Sequence, residues 1–280
     1  MNTANPAPVS RPGGEGHALI QAIVPGPAVA VDTREDSPDI QLFPDELEKV
    51  ANAVESRRRE FATSRDCARR AMGQLGLPPR SIPTGPRGEP QWPRGIVGSI
   101  THCKGYRGAV VGRSVQITTI GIDAEPNEPL PEGVLAAIGL PQEQNWVDRL
   151  LATAPQVRWD RLLFCAKEAV YKAWYPLARS WLDFDDALIT VDQEHETFTA
   201  RLRVAGPMVN GRATTGFSGR WLVRDSLVLT AIVLPERAPA APRTAQQAQQ
   251  QAQQAHLVRP AGSLSRVVPA GARPSPRAAG

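Results

Sequence analysis

Three carboxylates and two lysines fall in two short stretches, Ile120-Gly121-Ile122-Asp123-Ala124-Glu125 and Phe164-Cys165-Ala166-Lys167-Glu168-Ala169-Val170-Tyr171-Lys172. The first stretch is apolar and β-branched up to Asp123, so it reads as a buried strand whose end brings Asp123 and Glu125, two residues apart, to one face. The second reads as a helix with Glu168 and Lys172 one turn apart. Two carboxylates at a strand end and a third on a helix suit a hard divalent cation such as Mg²⁺, which takes oxygen ligands and keeps waters and phosphate oxygens in its shell. The lysine one turn from Glu168 suggests phosphate nearby. Each piece alone has an ordinary interpretation. An acidic pair at a strand end is commonly a solvated turn, and Glu168 with Lys172 is also an i,i+4 helix pair worth about 0.3 kcal/mol.

The elements that must hold these residues follow from periodicity and breakers. Phe43-Pro44-Asp45-Glu46-Leu47 marks a helix start with proline in the first turn, and Leu47, Val50 and Val54 continue its apolar stripe. A second helix spans roughly 56–75, with Phe61, Ala68, Met72 and Leu75 inward and Arg57, Arg59, Arg69 and Arg70 on a solvated face. The proline-rich run 84–93 is a loop. Strands are expected at 97–102 and 106–112, joined by a Lys104-Gly105 turn, and at 117–124; residues 18–31 read as an N-terminal strand and turn. A helix over roughly 158–177 turns Leu162, Ala166, Ala169, Ala173 and Leu177 to the core and leaves Lys167, Glu168, Tyr171, Lys172 and Tyr175 on its other sides. Strands at 188–191, 198–204, 216–223 and 227–233 complete the chain. A strand-helix-strand set thus occurs before and after residue 120. That predicts an α/β (α+β) architecture of two similar halves, 17–119 and 120–235, around a central cleft, although no internal sequence repeat is visible.

At 280 residues and 41% hydrophobic content the chain can bury a real core. Its net charge is +4, but residues 236–280 hold six arginines against Glu236, a net of +5, which leaves residues 1–235 at −1. The folded part is therefore not basic, which disfavours a nucleic-acid partner. The ends, 1–16 and 236–280, are rich in Pro, Gly, Ser, Ala and Gln and cannot bury enough apolar surface to offset ordering entropy, so both are expected to be disordered. Cys67, Cys103 and Cys165 are widely spaced and form no CxxC pair, which argues against a disulfide framework or structural zinc and for a reduced, cytoplasmic protein. No apolar run is long enough to predict a membrane span.

The run Trp92-Pro93-Arg94-Gly95-Ile96-Val97-Gly98-Ser99-Ile100-Thr101-His102-Cys103, taken with Gly121-Ile122-Asp123-Ala124-Glu125 and the segment from Phe164 to Lys172, closely resembles the 4′-phosphopantetheinyl transferases. Within them it resembles the surfactin-type and enterobactin-type group, in the branch that activates polyketide and non-ribosomal peptide synthases in actinobacteria. The resemblance spans roughly residues 18–234 and rests on three motifs in consistent order. It implies a pseudodimeric α/β fold in one chain, acting as a monomer, with coenzyme A in the cleft between the halves and Mg²⁺ on its pyrophosphate. Mn²⁺ is possible too, since both ions accept carboxylate oxygen. The implied partners are apo acyl carrier proteins and peptidyl carrier proteins, whose serine receives the phosphopantetheine arm.

By that resemblance Asp123, Glu125 and Glu168 hold the metal. Glu168 is the expected base for the serine proton, with Glu125 acting through a bound water as the other candidate. Lys172 places positive charge on the phosphoryl group and the departing 3′,5′-ADP. His102 is expected to hydrogen-bond a CoA phosphate with Thr101 beside it as a hydroxyl donor, and Arg58 and Arg65 to grip CoA phosphates through their planar forks. Relatives commonly carry a lysine near the position of Thr84. Here either Arg87 substitutes for it or the affinity leans on Arg58 and Arg65. Tyr175 and Trp181 are candidates for the pantetheine pocket, though aromatics at such spacing are as often core. Two other functions compete. A metal-dependent phosphodiesterase or nuclease would want a basic groove, which the charge of residues 1–235 disfavours, and a non-catalytic CoA-binding scaffold would have no need of Glu168 and Lys172.

Overall fold

In the computed structural model, which describes residues 18–236, the strands are β1 (Val29–Thr33), β2 (Ile96–Cys103), β3 (Tyr106–Arg113), β4 (Ile117–Pro126), β5 (Ala187–Asp192), β6 (Thr197–Leu202), β7 (Met208–Val209), β8 (Arg212–Ala213), β9 (Gly216–Arg224) and β10 (Leu227–Pro235). The helices are α1 (Pro44–Val50), α2 (Glu55–Gln74), α3 (Val134–Ile138), α4 (Pro141–Thr153) and α5 (Trp159–Ala178). Three strands form one antiparallel sheet in the order β1-β3-β2, five form another in the order β4-β10-β9-β6-β5, and β7 with β8 makes a small hairpin. The ends expected to be disordered lie outside the described residues, except for Glu236.

Side-chain alternation explains the layering. On β3, Ala109 and Val111 join Cys67, Ala68, Ala71 and Met72 of α2, while Tyr106 and Val110 point the other way, into a cluster with Ile120, Ile122 and Leu229. On β10, Leu227, Leu229 and Ala231 enter that same shared cluster, and Val228 and Ile232 face Leu162, Ala166 and Ala169 of α5. The order of layers is therefore α2, small sheet, shared core, large sheet, α5. The two sheets also meet at their edges, where Ser99 and Thr101 on β2 accept hydrogen bonds from the Ile122 and Ala124 amides of β4, both at 3.1 Å. Side-chain hydroxyls thus satisfy a strand edge that would otherwise be left with bare amides.

Gly121 sets how closely α5 lies on β4. A Cβ there would sit 2.0 Å from the Ala169 carbonyl oxygen and 2.7 Å from the Ala173 amide nitrogen, so only glycine lets the helix backbone rest on the strand. That contact brings the helical Glu168 and Lys172 to the level of Asp123.

The halves are alike in plan but unequal in size, and they share a device not visible as a repeat in the sequence. Glu46 in the first turn of α1 accepts the Phe43 amide (3.0 Å), the Ile82 amide (2.8 Å) and the Arg69 guanidinium of α2 (3.0 Å). Glu143 in the first turn of α4 accepts the Leu140 amide (2.7 Å), the Ile189 amide (2.6 Å) and the Lys167 ammonium of α5 (2.8 Å). Each glutamate follows a Pro-x step, caps its own helix and ties it to the long helix of its half.

Several expectations are corrected. Lys167 is buried because Glu143 and the carbonyls of Phe184 and Ala187 receive its protons; burial lowers its pKa even so. Helices α3 and α4 occupy a stretch with no assigned element. The expected strand at 18–31 begins as a 3₁₀ helix, Leu19–Ile23, and only Val29–Thr33 pairs in a sheet.

Candidate active site

Ile122 and Ala124 point from β4 into the shared core, so the alternate residues Asp123 and Glu125 face the side where α5 lies. Asp123 is almost fully buried. Its Oδ1 accepts the Thr101 hydroxyl at 3.0 Å and the Lys172 ammonium at 2.6 Å, while its Oδ2 is buried without a hydrogen-bond partner. A buried carboxylate oxygen in that state carries an unrelieved desolvation penalty, and such groups in folded proteins call for a specific explanation.

The neighbouring carboxylates feel the same excess of negative charge. Burial and then the Asp123 charge push Glu125 up to about 7, against the opposing pull of Arg161, whose guanidinium lies 3.1 Å from Glu125 Oε2. Burial and then Asp123 also raise Glu168, with Lys172 opposing. For Lys172, burial works against the charged form, but the Asp123 carboxylate and the nearby Glu168 outweigh it and the pKa is raised. Lys172 therefore pairs across to β4 in addition to sitting one turn from Glu168.

A buried, unpartnered Asp123 oxygen, with the Glu125 and Glu168 carboxylates each feeling the Asp123 charge, offers the donor type that a hard divalent cation takes, Mg²⁺ or Mn²⁺ alike. Among the described residues no three His, Cys, Asp or Glu side chains already stand together as a ligand set. Arg161 pairs with Glu125, and it also donates to the Glu128 and Pro129 carbonyls, which fastens the segment after β4 to α5.

His102 ends the other edge of the cleft, on β2. Burial of the ring and then the Arg57 guanidinium, which meets its Nε2, lower its pKa to about 4. Burial and the cations Arg57, Lys172 and Arg107 favour the neutral ring, with the Glu60 carboxylate opposing them. Arg57, assigned to a solvated face from the sequence, is the arginine that reaches His102. Arg58 instead donates to the carbonyls of Val50 (3.1 Å) and Ala53 (3.0 Å) and to that of Ala51, closing the end of α1. Arg65 is buried, its pKa lowered to about 10 by that burial, and its fork is occupied by the Ile82 carbonyl and the Thr84 hydroxyl, each at 2.9 Å. Thr101, expected to donate to phosphate, directs its single proton at Asp123 and is 1% exposed.

Two cavities meet at Glu168, Tyr171 and Arg87. One of about 490 Å³ runs between the 87–92 loop, β2 and the second half of α5, and takes in Lys172 and Tyr175. The other, of about 280 Å³, is walled by Trp181, Leu182, Phe184 and the stem of Lys167. Tyr171 links them, its ring 5.0 Å from Trp181 and 5.9 Å from Tyr175, and Arg87 lies 6.0 Å over the Trp181 ring. Sequence reasoning missed Arg57, Arg161 and Tyr171. Only Arg161 left a signal: it lies seven residues before Glu168 and eleven before Lys172, on one helix face.

Comparison with known proteins bears on what this cleft does. Residues 45–112 match the family model of the 4′-phosphopantetheinyl transferase N-terminal domain, and residues 119–221 match that of the 4′-phosphopantetheinyl transferase superfamily. The chain is 52% identical over 231 residues to 4′-phosphopantetheinyl transferase Svp of Streptomyces mobaraensis, a match covering 81% of this chain and 94% of that protein. It is 50% identical over 203 residues to 4′-phosphopantetheinyl transferase PptT of Mycobacterium tuberculosis, covering 71% and 88%. It is 28% identical over 196 residues to enterobactin synthase component D of Salmonella typhimurium, covering 69% and 78%. With two family models matching consecutive stretches of the chain and 52% identity to a relative over 231 residues, the chain belongs to the 4′-phosphopantetheinyl transferase superfamily.

Proposed function

We propose that this enzyme moves the 4′-phosphopantetheine arm of coenzyme A to a serine of apo acyl carrier proteins and peptidyl carrier proteins and releases 3′,5′-ADP, with Asp123, Glu125 and Glu168 holding a divalent metal, Mg²⁺ or Mn²⁺. The observation that carries this is the buried, unpartnered Asp123 Oδ2, with Glu125 two residues on along β4 and Glu168 on α5, where the two cavities meet, both raised in pKa by burial and by the Asp123 charge. When bound, such a metal neutralises charge on the pyrophosphate as the phosphoanhydride breaks.

The remaining chemistry belongs to the chain's own residues. The serine oxygen attacks the phosphorus on the pantetheine side, a new P–O bond forms, and the electron pair of the broken P–O bond leaves with 3′,5′-ADP. Glu168 accepts the serine proton, a task favoured by a carboxylate whose pKa has risen toward the working pH. Glu125, acting through a bound water, is the second candidate. Lys172 sets positive charge beside the reacting phosphoryl group. His102, neutral and flanked by Arg57, donates a hydrogen bond to a CoA phosphate, and Arg87 supplies the cation that Thr84 lacks. Trp181 and Tyr175, with Tyr171, line the path of the pantetheine arm. We also propose a monomer acting in the cytoplasm. In support, the three cysteines are free thiols, and no described helix is long and apolar enough to cross a membrane.

The test is intact-protein mass spectrometry of a purified apo carrier after incubation with the enzyme, CoA and Mg²⁺. The wild type should add one phosphopantetheine mass and Glu168→Ala should add none. A folded wild type that binds CoA but shifts neither acyl nor peptidyl carriers would overturn the proposal.

A further inference from the structure

Resting on the transferase function above, we propose that Thr101 is a positioning residue for the metal site: its hydroxyl, held between the two sheets, fixes Asp123 so that Oδ2 and not Oδ1 is presented to the cation.

The direction of each hydrogen bond is set by proton count. The Ala124 amide can only donate, so at 3.1 Å it occupies a lone pair of Thr101 Oγ1. The hydroxyl has one proton, and the acceptor 3.0 Å away is Asp123 Oδ1. Lys172 donates to that same oxygen at 2.6 Å. Two donors thus converge on Oδ1, and none of the described residues bonds Oδ2, which is buried. Ser99, two residues earlier on β2, makes the matching bond to the Ile122 amide, also at 3.1 Å, but touches no carboxylate. The pair of hydroxyls is a side-chain seam joining β2 to β4, and Thr101 is the link in that seam that also orients a ligand. Because Thr101 comes from the small sheet and Asp123 from the large one, the metal ligand is aligned across the join between the halves. The same bonds leave this buried hydroxyl with no proton to offer a phosphate.

Partners that orient a metal ligand typically contribute 10–100-fold in metal affinity. Mn²⁺ affinity of the CoA-bound protein, read by electron paramagnetic resonance, should therefore fall about 10–100-fold in Thr101→Val. CoA binding in excess EDTA should stay near wild type, and Thr101→Ser, which keeps the hydroxyl, should restore most of the metal affinity. If the valine variant does not fold, Thr101→Ala carries the same prediction without a methyl set against the Ala124 amide. Wild-type Mn²⁺ affinity in the folded hydroxyl-free variant would overturn the proposal. So would a loss of metal-free CoA binding as large as the loss of Mn²⁺, since that is the mark of a phosphate donor. A wild type that binds Mn²⁺ through Asp123 yet modifies no carrier counts against the transferase function instead, and the Thr101 comparison is still decided by these two binding measurements.

Discussion

Glu46 and Glu143 are both fully buried, and each is saturated by two backbone amides and a cation; the carboxylates of the cleft are also withdrawn from water, yet Asp123 keeps a bare oxygen and Glu125 and Glu168 resist ionisation. Both regions draw carboxylates out of bulk water, Asp123 nearly as deep as Glu46 and Glu143, with Glu125 and Glu168 half-buried, but to opposite ends. Where every lone pair has a donor, the charge serves the fold, tying α1 to α2 and α4 to α5. Where donors are withheld on one side, the desolvation penalty is left for a ligand to relieve. Between Asp123 and the two structural glutamates, saturation and not burial makes the difference.

The sharpest contrast comes from one substitution in each region. Glu168→Gln should lower transfer about 10³-fold, as expected for loss of a general base, while the melting temperature holds or rises, because a carboxylate with raised pKa destabilises the ionised fold. Glu143→Ala should do the reverse, lowering stability in urea by about 3–5 kcal/mol through the stranded Lys167 charge while the folded fraction still turns over. If both variants lost activity and stability together, the division between the regions would not stand.

Gly121→Ala tests the contact that brings them into register. Pushing α5 off β4 should destabilise by about 1–3 kcal/mol, with a further drop in kcat as Glu168 moves away from Asp123. An unchanged kcat would show that the spacing is not needed.

The pH dependence follows from Glu125. Its folded pKa of about 7 lies above the usual 4.5, so the folded protein holds a proton that the unfolded chain has already released. Without metal, stability therefore falls as pH rises from about 4.5 to 7. Metal binding needs the carboxylate ionised, so Mg²⁺ affinity should climb by up to about tenfold per pH unit below 7 and level off above it. A thermal-melt series with and without Mg²⁺ between pH 5.5 and 8.5 (roughly the window set by this pKa) reads both effects. A flat metal response would mean that Glu125 is not a ligand.

The smallest effect separates two neighbouring arginines. Arg57→Ala should raise KM for CoA about tenfold, in keeping with loss of a charged hydrogen bond, whereas Arg58→Ala should mainly loosen the end of α1 by about 1 kcal/mol. Equal KM effects would put both side chains on the nucleotide.

Much of the frame was legible in the sequence because it rests on strong patterns. Alternation and β-branching marked β2, β3 and β4, and the long apolar stripe marked α5. The meeting of Asp123, Glu168 and Lys172 was legible only through the joint motif, since no single-element pattern says that a strand end and a helix some forty residues further on will touch; Gly121 is the physical reason that they do. Other features depended on partners that local pattern could not supply. Lys167 looked exposed because its partner Glu143 sits on α4, whose amphipathic stripe is short. Arg57 and Arg58 differ by a single helix position among exposed residues, where nothing but tertiary contact decides which one turns to His102. Thr101 looked like a phosphate donor beside His102 because the sequence does not show that the Ala124 amide already fixes the direction of its proton.

The most direct measurement is a calorimetric titration of Mg²⁺ into the CoA-bound protein, run on the wild type and on Asp123→Asn. One metal per chain in the wild type and none in the folded variant is the predicted result. A wild type that takes up no metal, or an asparagine variant that binds it equally well, would contradict the assignment of the bare Asp123 oxygen to a cation.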